Sequence, residues 1–417
     1  MLAAILVLSG STASSSAEQT TGHTFRPARA STSRQLVFNI AAINPRDVRS
    51  ARLYTAGGST RVRADVVRNA IAAGVLKIRR SARQARADRS RAARRNGRPK
   101  LVITTTAAAP GPLTTIAGTT YFVSAGGSDS NSGRSREDAW RSVRRVNRAS
   151  LDPGDGVLFE GGATFGGGTL TPKRSGSASR PIVYGSYGSG QAKLPEGVYL
   201  LNVGGVAFQR LAISGAQQGV LASASGTVAD ITIEGMTISD GQIAINSASD
   251  NNRGWTIRDN TISRIGDSGM ILEGSNFSIT GNSIVQTGTD SSIDFAKHGI
   301  YLKATAANVS RNVIRDFETS GVSVRFRDSV IEHNTIADGR YGLAWHQYDP
   351  VAGKSFWRDN TISDTTAAGI YVSPRDRAGR TRESFVITHN TLSKRAGVYT
   401  DLQPTTGSYT VNTNAEN

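Results

Sequence analysis

From residue 260 onward, apolar and polar positions alternate in short bursts of period two, and the same residues introduce each burst. An Asn followed by any residue and then Ile or Leu recurs as Asn260-Thr-Ile, Asn282-Ser-Ile, Asn312-Val-Ile, Asn334-Thr-Ile, Asn360-Thr-Ile and Asn390-Thr-Leu, at intervals of 22, 30, 22, 26 and 30. Each is followed by Gly-apolar-x-apolar: Gly269-Met-Ile-Leu, Gly299-Ile-Tyr-Leu, Gly321-Val-Ser-Val, Gly342-Leu-Ala-Trp, Gly369-Ile-Tyr-Val and Gly397-Val-Tyr-Thr. Gly219-Val-Leu-Ala and Gln242-Ile-Ala-Ile are earlier, less regular copies. Two such strands per repeat cannot bury their apolar sides alone, whereas stacked coils can. The pattern therefore predicts a solenoid. The recurring Asn would tolerate left-handed backbone at one corner and hydrogen-bond its amide to the next Asn up the stack.

In each Gly-led strand the first and third residues after Gly are expected to face the core, and the second and fourth to face solvent. The fourth-position column reads Glu273, Lys303, Arg325, His346, Ser373 and Asp401, with Asn246 one coil earlier. The second-position column contains Tyr301, Tyr371 and Tyr399, whose flat faces suit sugar rings.

The N-terminal quarter breaks this pattern. Residues 36–40, 48–54 and 101–105 read as short strands around an Arg-rich interior, a basic accessory segment (18–106) that is a partial β-module or partly disordered. Lys77, Arg80, Arg83, Arg86 and Arg89 recur every third residue, as in an exposed basic helix. Residues 61–100 hold 14 Lys or Arg against Asp65 and Asp88, so most of the net charge of +17 is local. No aromatic interleaves this run, which argues against a specific nucleic-acid partner. Residues 107–118, with Pro110 and Pro112, read as a linker, and 119–417 as the solenoid domain. Leu2 to Leu8, followed by small residues to Ala17, reads as a signal peptide (1–17), although a basic n-region is lacking. The absence of cysteine excludes disulfides and cysteine-ligated metals. No later run is long enough for a transmembrane helix.

Past the linker, Tyr121-Phe-Val leads into a Gly127–Gly133 turn and then a helix carrying Trp140, Val143 and Val146 on one face, for which Ser135-x-x-Asp138 reads as the capping box. Tyr-Phe-Val-Ser, Gly-Ser-Asp-Ser-Asn-Ser-Gly, the capping helix, Asp152-Pro-Gly-Asp-Gly-Val-Leu and the Asn-x-Ile repeats resemble secreted right-handed parallel β-helix proteins of the polysaccharide lyase-like superfamily. The resemblance covers about residues 119–410 and implies an all-β right-handed parallel β-helix with an N-terminal capping helix. It spans pectate, alginate and chondroitin lyases, uronate epimerases, glycosidases and non-catalytic surface proteins, so it specifies fold more tightly than function.

By that resemblance the Gly-led strands occupy the place of the sheet that carries the polysaccharide groove. Uronate β-elimination or C5 epimerisation requires cations at the carboxylate and a base for the C5 proton. Lys303 or His298 is the candidate base, and Arg325 or Arg327 the carboxylate holder; Glu273, Tyr301 and Tyr371 are further substrate contacts, and His346 is an acid/base candidate on the stripe. The Lys303 and Arg325 or Arg327 spacing resembles the Lys and Arg pair of the chondroitin and alginate lyase family. That family's calcium-binding acidic pair is absent, because Ala296-Lys297-His298 stands there. The 17-residue span from Asn282 to Gly299 is longer than the seven to nine elsewhere and carries Asp290 and Asp294, weak metal ligands for which Ca2+ is the candidate ion.

Hydrolysis by paired carboxylates fits this stripe less well. Glu273 and Asp401 would lie roughly 24 Å apart at the rung spacing of a sheet, against about 5–9.5 Å for such pairs. Loop carboxylates such as Asp316, Glu318, Asp349 and Asp376 remain alternatives. The sequence thus suggests a secreted monomer acting on, or as a cell-surface module merely binding, an acidic polysaccharide.

Overall fold

The Asn-x-Ile and Gly-led motifs prove to be two halves of one packing contact in a computed structural model of the chain. It describes residues 20–25, 35–39, 48–55, 58–62, 75–79, 100–106, 114–293, 296–347, 352–374, 382–394, 398–402 and 408–416. A β-carbon on Gly299, Gly321 or Gly342 would collide with the Cγ2 of Ile314, Ile336 or Ile362, and each of those Ile residues closes an Asn-x-Ile triplet. These glycines do not need positive φ. They recur because the inward Ile of the same winding fills the space a side chain would take.

Each coil has three strands rather than the two expected. Met270–Ser275, Ser278–Thr280 and Ser283–Thr287 make one winding, and His298–Thr305, Asn308–Ser310 and Val313–Phe317 stack on them in parallel register. In four coils the middle strand, Thr256–Arg258, Ser278–Thr280, Asn308–Ser310 or Val330–Glu332, is three residues long, too short for a legible alternation. Along the stack its inward residues Ile257, Ile279, Val309, Ile331, Trp357 and Ile387 are fully buried. The parallel β-helix expected from the repeats is therefore present, with a core running the length of the stack.

The corner ladder forms, with one correction. Asn260, Asn282, Asn312, Asn334 and Asn360 are buried, and each donates its Nδ2 to the Oδ1 of the next Asn at 2.9–3.0 Å. The same Oδ1 accepts the backbone N–H of the preceding Asn, so one side chain joins two coils twice. The left-handed backbone falls one residue earlier, at Asp259, Gly281, Arg311, His333, Asp359 and His389, with φ of 56–70°. His333 and His389 are thereby corner residues.

At the N-terminal end of the stack, Thr120–Val123 pairs with Gly156–Glu160, and that strand with Ile182–Tyr187. The helix between them is only Val143–Asn147, and its N-cap is Ser142, whose hydroxyl accepts from Arg145 N, rather than Ser135. Ser135 accepts from Asp138 N within an earlier turn. Asp129 anchors the helix start by accepting from Arg141 N, Ser142 N and Ser142 Oγ, so the Gly127–Gly133 segment serves as a structural turn. Thr114, assigned to a linker from the sequence, donates through its N–H and hydroxyl to Glu234, a buried carboxylate also paired with Arg258.

In the N-terminal unit, Thr20–Phe25, Lys100–Thr106, Val48–Thr55 and Gly58–Val62 form an antiparallel sheet in that order. Gln35–Asn39 pairs with Val75–Arg79, so Lys77 lies on a strand and not on the expected basic helix. Residues 1–17, most of the linker, Arg80 to Arg89, Asp294, Asp349 and Asp376 lie outside the described residues. No helix among the described residues is long and apolar enough to cross a membrane.

Candidate functional site

The sheet of Gly-led strands brings the expected outward residues into line. Glu273 pairs directly with Lys303. Leu302 pairs with Val324 and Val324 with Trp345, so Lys303, Arg325 and His346 follow on consecutive rungs, and His346 pairs with Ser373. Beneath them Met270, Leu272, Ile300, Leu302, Val322, Val324, Leu343 and Trp345 are fully buried, while the four stripe residues from Glu273 to His346 are partly exposed. At the spacing of a sheet the stripe spans roughly 14 Å, the length of two or three sugar units.

Two members expected in this column lie elsewhere. Asn246 pairs with Ile271, placing it in the second-position column. Asp401 pairs with Tyr371 because the last strand is displaced by two residues, with Ile370 opposite Thr400. The same slip removes Tyr399 from the tyrosine column and packs it against the core.

Contacts within the stripe are specific. Lys303 Nζ donates to Glu273 Oε1 at 2.5 Å, so the two facing side chains of the stripe are engaged with one another. Its Nζ lies 5.1 Å from the Tyr301 ring centroid and the Arg325 guanidinium 5.4 Å from it, so Tyr301 faces cations of its own chain. Tyr371 stacks on Tyr341 at 4.8 Å, and the His346 ring lies 5.1 Å from Tyr371. Arg327 lies beyond the strand, where its Nε is 3.6 Å from Asp328.

His298 opens the strand that carries Lys303. It is 3% exposed, its backbone N–H donates to Ser268 Oγ, and its ring lies 4.8 Å from that of Tyr301. Burial pushes its pKa down to about 3, and the nearby His346 and Arg325 act in the same direction, so the imidazole is neutral at physiological pH. Its Nδ1 has no hydrogen-bond partner among the described residues, and neither do the hydroxyls of Ser320 and Ser323 one rung further on.

The long loop before His298 closes on itself. Asp290 accepts from Ser292 N, Ser292 Oγ and Gln242 Nε2, and these bonds hold its pKa down at about 2. Lys297, almost fully buried, donates to Asp290 O at 2.8 Å and pairs with Glu318 at 3.0 Å. Burial raises the pKa of the neighbouring Asp267, with Glu318 adding to the effect and Lys297 opposing it. Asp290, one of the two expected calcium ligands, is engaged in the turn, whereas the other, Asp294, lies outside the described residues; no group of three His, Cys, Asp or Glu able to hold a metal occurs among the described residues.

Reading the repeat from its Gly singled out His298 but missed its counterparts on the neighbouring coils: Asp267-Ser268 and Thr319-Ser320, like Lys297-His298, precede a Gly of the column and place polar side chains beside the stripe. Their position one or two residues before Gly was the available signal.

Comparison with known proteins agrees with this architecture. Residues 289–415 match a family described as right handed beta helix region. The chain is a right-handed parallel β-helix protein. Residues 180–350 of this β-helix protein also match a family described as periplasmic copper-binding protein (NosD). Its described residues do not fit a copper centre: the chain lacks cysteine, Met236 and Met270 are buried in the core, and only two imidazoles approach one another on the stripe. A segment of 86 residues, 20% of the chain, is 42% identical to lacto-N-biosidase of Bifidobacterium longum subsp. longum and spans 5% of that protein. The structure of GH136 lacto-N-biosidase from Eubacterium ramulus superposes with a TM-score of 0.50 and 16% identity, over 72% of this chain and 68% of that one. A structure described as a glycoside hydrolase superposes with a TM-score of 0.50 and 9% identity, over 72% of this chain and 96% of that one. At these identities the two structural likenesses establish the fold.

Proposed function

We propose that this β-helix protein is a carbohydrate-active protein that acts outside the cytoplasm on an acidic polysaccharide, removing the C5 proton of a uronate unit. The observation that carries this reading is the placement of two cations and a solvent-reachable imidazole, Lys303, Arg325 and His346, on three consecutive rungs. Arg325 offers the fork that receives a carboxylate with two hydrogen bonds, and Lys303 adds a second positive charge one rung away. Their field stabilises the negative charge that builds on the carboxylate as the C5–H bond breaks. His346, one rung beyond Arg325, is within a sugar's width of that proton and accepts it. Return of a proton to the opposite face gives the C5 epimer; cleavage of the C4–O4 bond instead leaves a 4,5-unsaturated uronate as the new non-reducing end, and the departing oxygen takes up a proton to become the reducing end of the released fragment. Tyr341 and Tyr371 form an apolar wall beside His346.

Incubation with pectate, alginate and glycosaminoglycans tests this directly. Ultraviolet absorbance from the unsaturated product marks elimination, and exchange of H5 with deuterium marks epimerisation; both should vanish in Arg325→Ala. Binding without either signal would leave a non-catalytic carbohydrate-binding role.

A second reading has its own observation. The local identity to a lacto-N-biosidase, together with a buried Asp267 whose carboxyl is driven toward its protonated form beside Glu318, favours hydrolysis of a neutral glycan. New reducing ends without an ultraviolet product, lost in Asp267→Asn, would favour it over elimination.

A further inference from the structure

Three buried polar atoms without partners among the described residues lie side by side on the outer face: Nδ1 of His298 and the hydroxyls of Ser320 and Ser323. His298 is in register with Ser320, and Tyr301 with Ser323, so the four side chains form a two-by-two array across adjacent rungs. On the next rung Ala344 lies opposite Ser323, giving a floor of small side chains between Tyr301 and the Tyr341–Tyr371 stack. Arg325, two residues beyond Ser323 on the same face, and His346 both act electrostatically on His298, so the two proposed substrate-handling groups adjoin this recess. Burying one unpaired hydroxyl is costly, and two beside an unpaired imidazole nitrogen mark a place where hydrogen bonding has been kept for another purpose.

We infer that this recess is the hydroxyl-recognition subsite for the sugar whose carboxylate sits on Arg325, an inference that rests on the acidic-polysaccharide reading. The chemistry selects the ligand group. A neutral imidazole nitrogen and two serine hydroxyls can donate and accept, which complements a sugar hydroxyl; a carboxylate only accepts, and an ammonium only donates. Ser320 and Ser323 are buried in the free protein, so occupation of the subsite requires the side chains above them to shift. Arg325 thereby reads the charge common to all uronates, and Ser320, Ser323 and His298 read the hydroxyl configuration that differs among them.

Calorimetric titration of the full chain with tetrasaccharides of galacturonate, mannuronate and guluronate tests the assignment, using wild type, the Ser320→Ala/Ser323→Ala double variant and Arg325→Ala. Wild type should prefer one tetrasaccharide by about 10-fold or more, the double variant should narrow that preference to within about 2-fold, and Arg325→Ala should weaken all three alike. The double variant should also melt about 1–4 °C higher, because it removes unpaired buried hydroxyls. A merely structural pair of serines would lower the melting temperature and leave the preference unchanged, and that result overturns the subsite while Arg325 still matters. If wild type binds none of the three, the acidic-polysaccharide reading fails and the subsite falls with it.

Discussion

The ladder corner and the outward stripe are built on the same coils yet obey opposite rules. At the corner, Asn260 to Asn390 repeat one residue type and five successive side-chain amides find their partner on the next coil. On the stripe, Glu273, Lys303, Arg325 and His346 are four different residues on consecutive rungs, and hydroxyls beside them stay unpaired. Uniformity accompanies satisfied hydrogen bonds and dense packing, whereas variety accompanies exposed charge. In a solenoid, residues that break the repeat are therefore better functional candidates than those that keep it.

The sharpest way to break the comparison is to put stripe chemistry into the core. Leu302→Asp buries an unpaired charge between Leu272 and Val324 and should prevent folding, or cost about 4 kcal/mol or more; recovery of soluble protein and a urea melt would check it. A corner substitution comes next. Asn312→Leu leaves both Asn282 N and Asn282 Nδ2 without their acceptor, and should cost about 2–5 kcal/mol by denaturant unfolding. Gly321→Ala, which drives a methyl group into Ile336, should cost about 1–3 kcal/mol.

Acidification probes the boundary between the two regions. His298 has a folded pKa well below its unfolded value, so the unfolded chain binds more protons between roughly pH 6.5 and pH 3. Its contribution is complete above that window and is lost as pH falls through it. Wild type should thus lose stability from pH 7 to pH 4 more steeply than His298→Phe, by a few kcal/mol in parallel denaturant titrations. The smallest effect belongs to a pair with neither role: Arg264→Ala removes an exposed contact to Asp240 and should change stability by less than about 1 kcal/mol.

The sequence made the repeating part of the molecule readable and left the rest obscure for identifiable reasons. Asn-x-Ile and Gly-apolar-x-apolar located the coils and the inward and outward faces, because packing on a period of two demands them. The three-residue strands such as Ser278–Thr280 were invisible, since one buried residue flanked by two polar ones has no periodicity. The slip at Asp401 followed from register, which depends on pairing between chain segments and not on either segment alone. The capture of Lys303 by Glu273, and the closeness of His298 to Arg325 and His346, are outcomes of side-chain direction. Columns showed which residues were neighbours, and contacts showed which of them were already committed.

The asparagine row also has a sense of direction. In every Asn–Asn bond the donor belongs to the lower-numbered coil and the acceptor to the higher-numbered one, while the same Nδ2 also donates back to a main-chain carbonyl of the coil below, such as Ile257 O for Asn282 and Ile279 O for Asn312. Each winding leaves a donor that only the following winding can satisfy. Loss of any asparagine of the row after Asn260 therefore strands two donors on the winding before it, the main-chain N–H and the Nδ2 of the preceding asparagine.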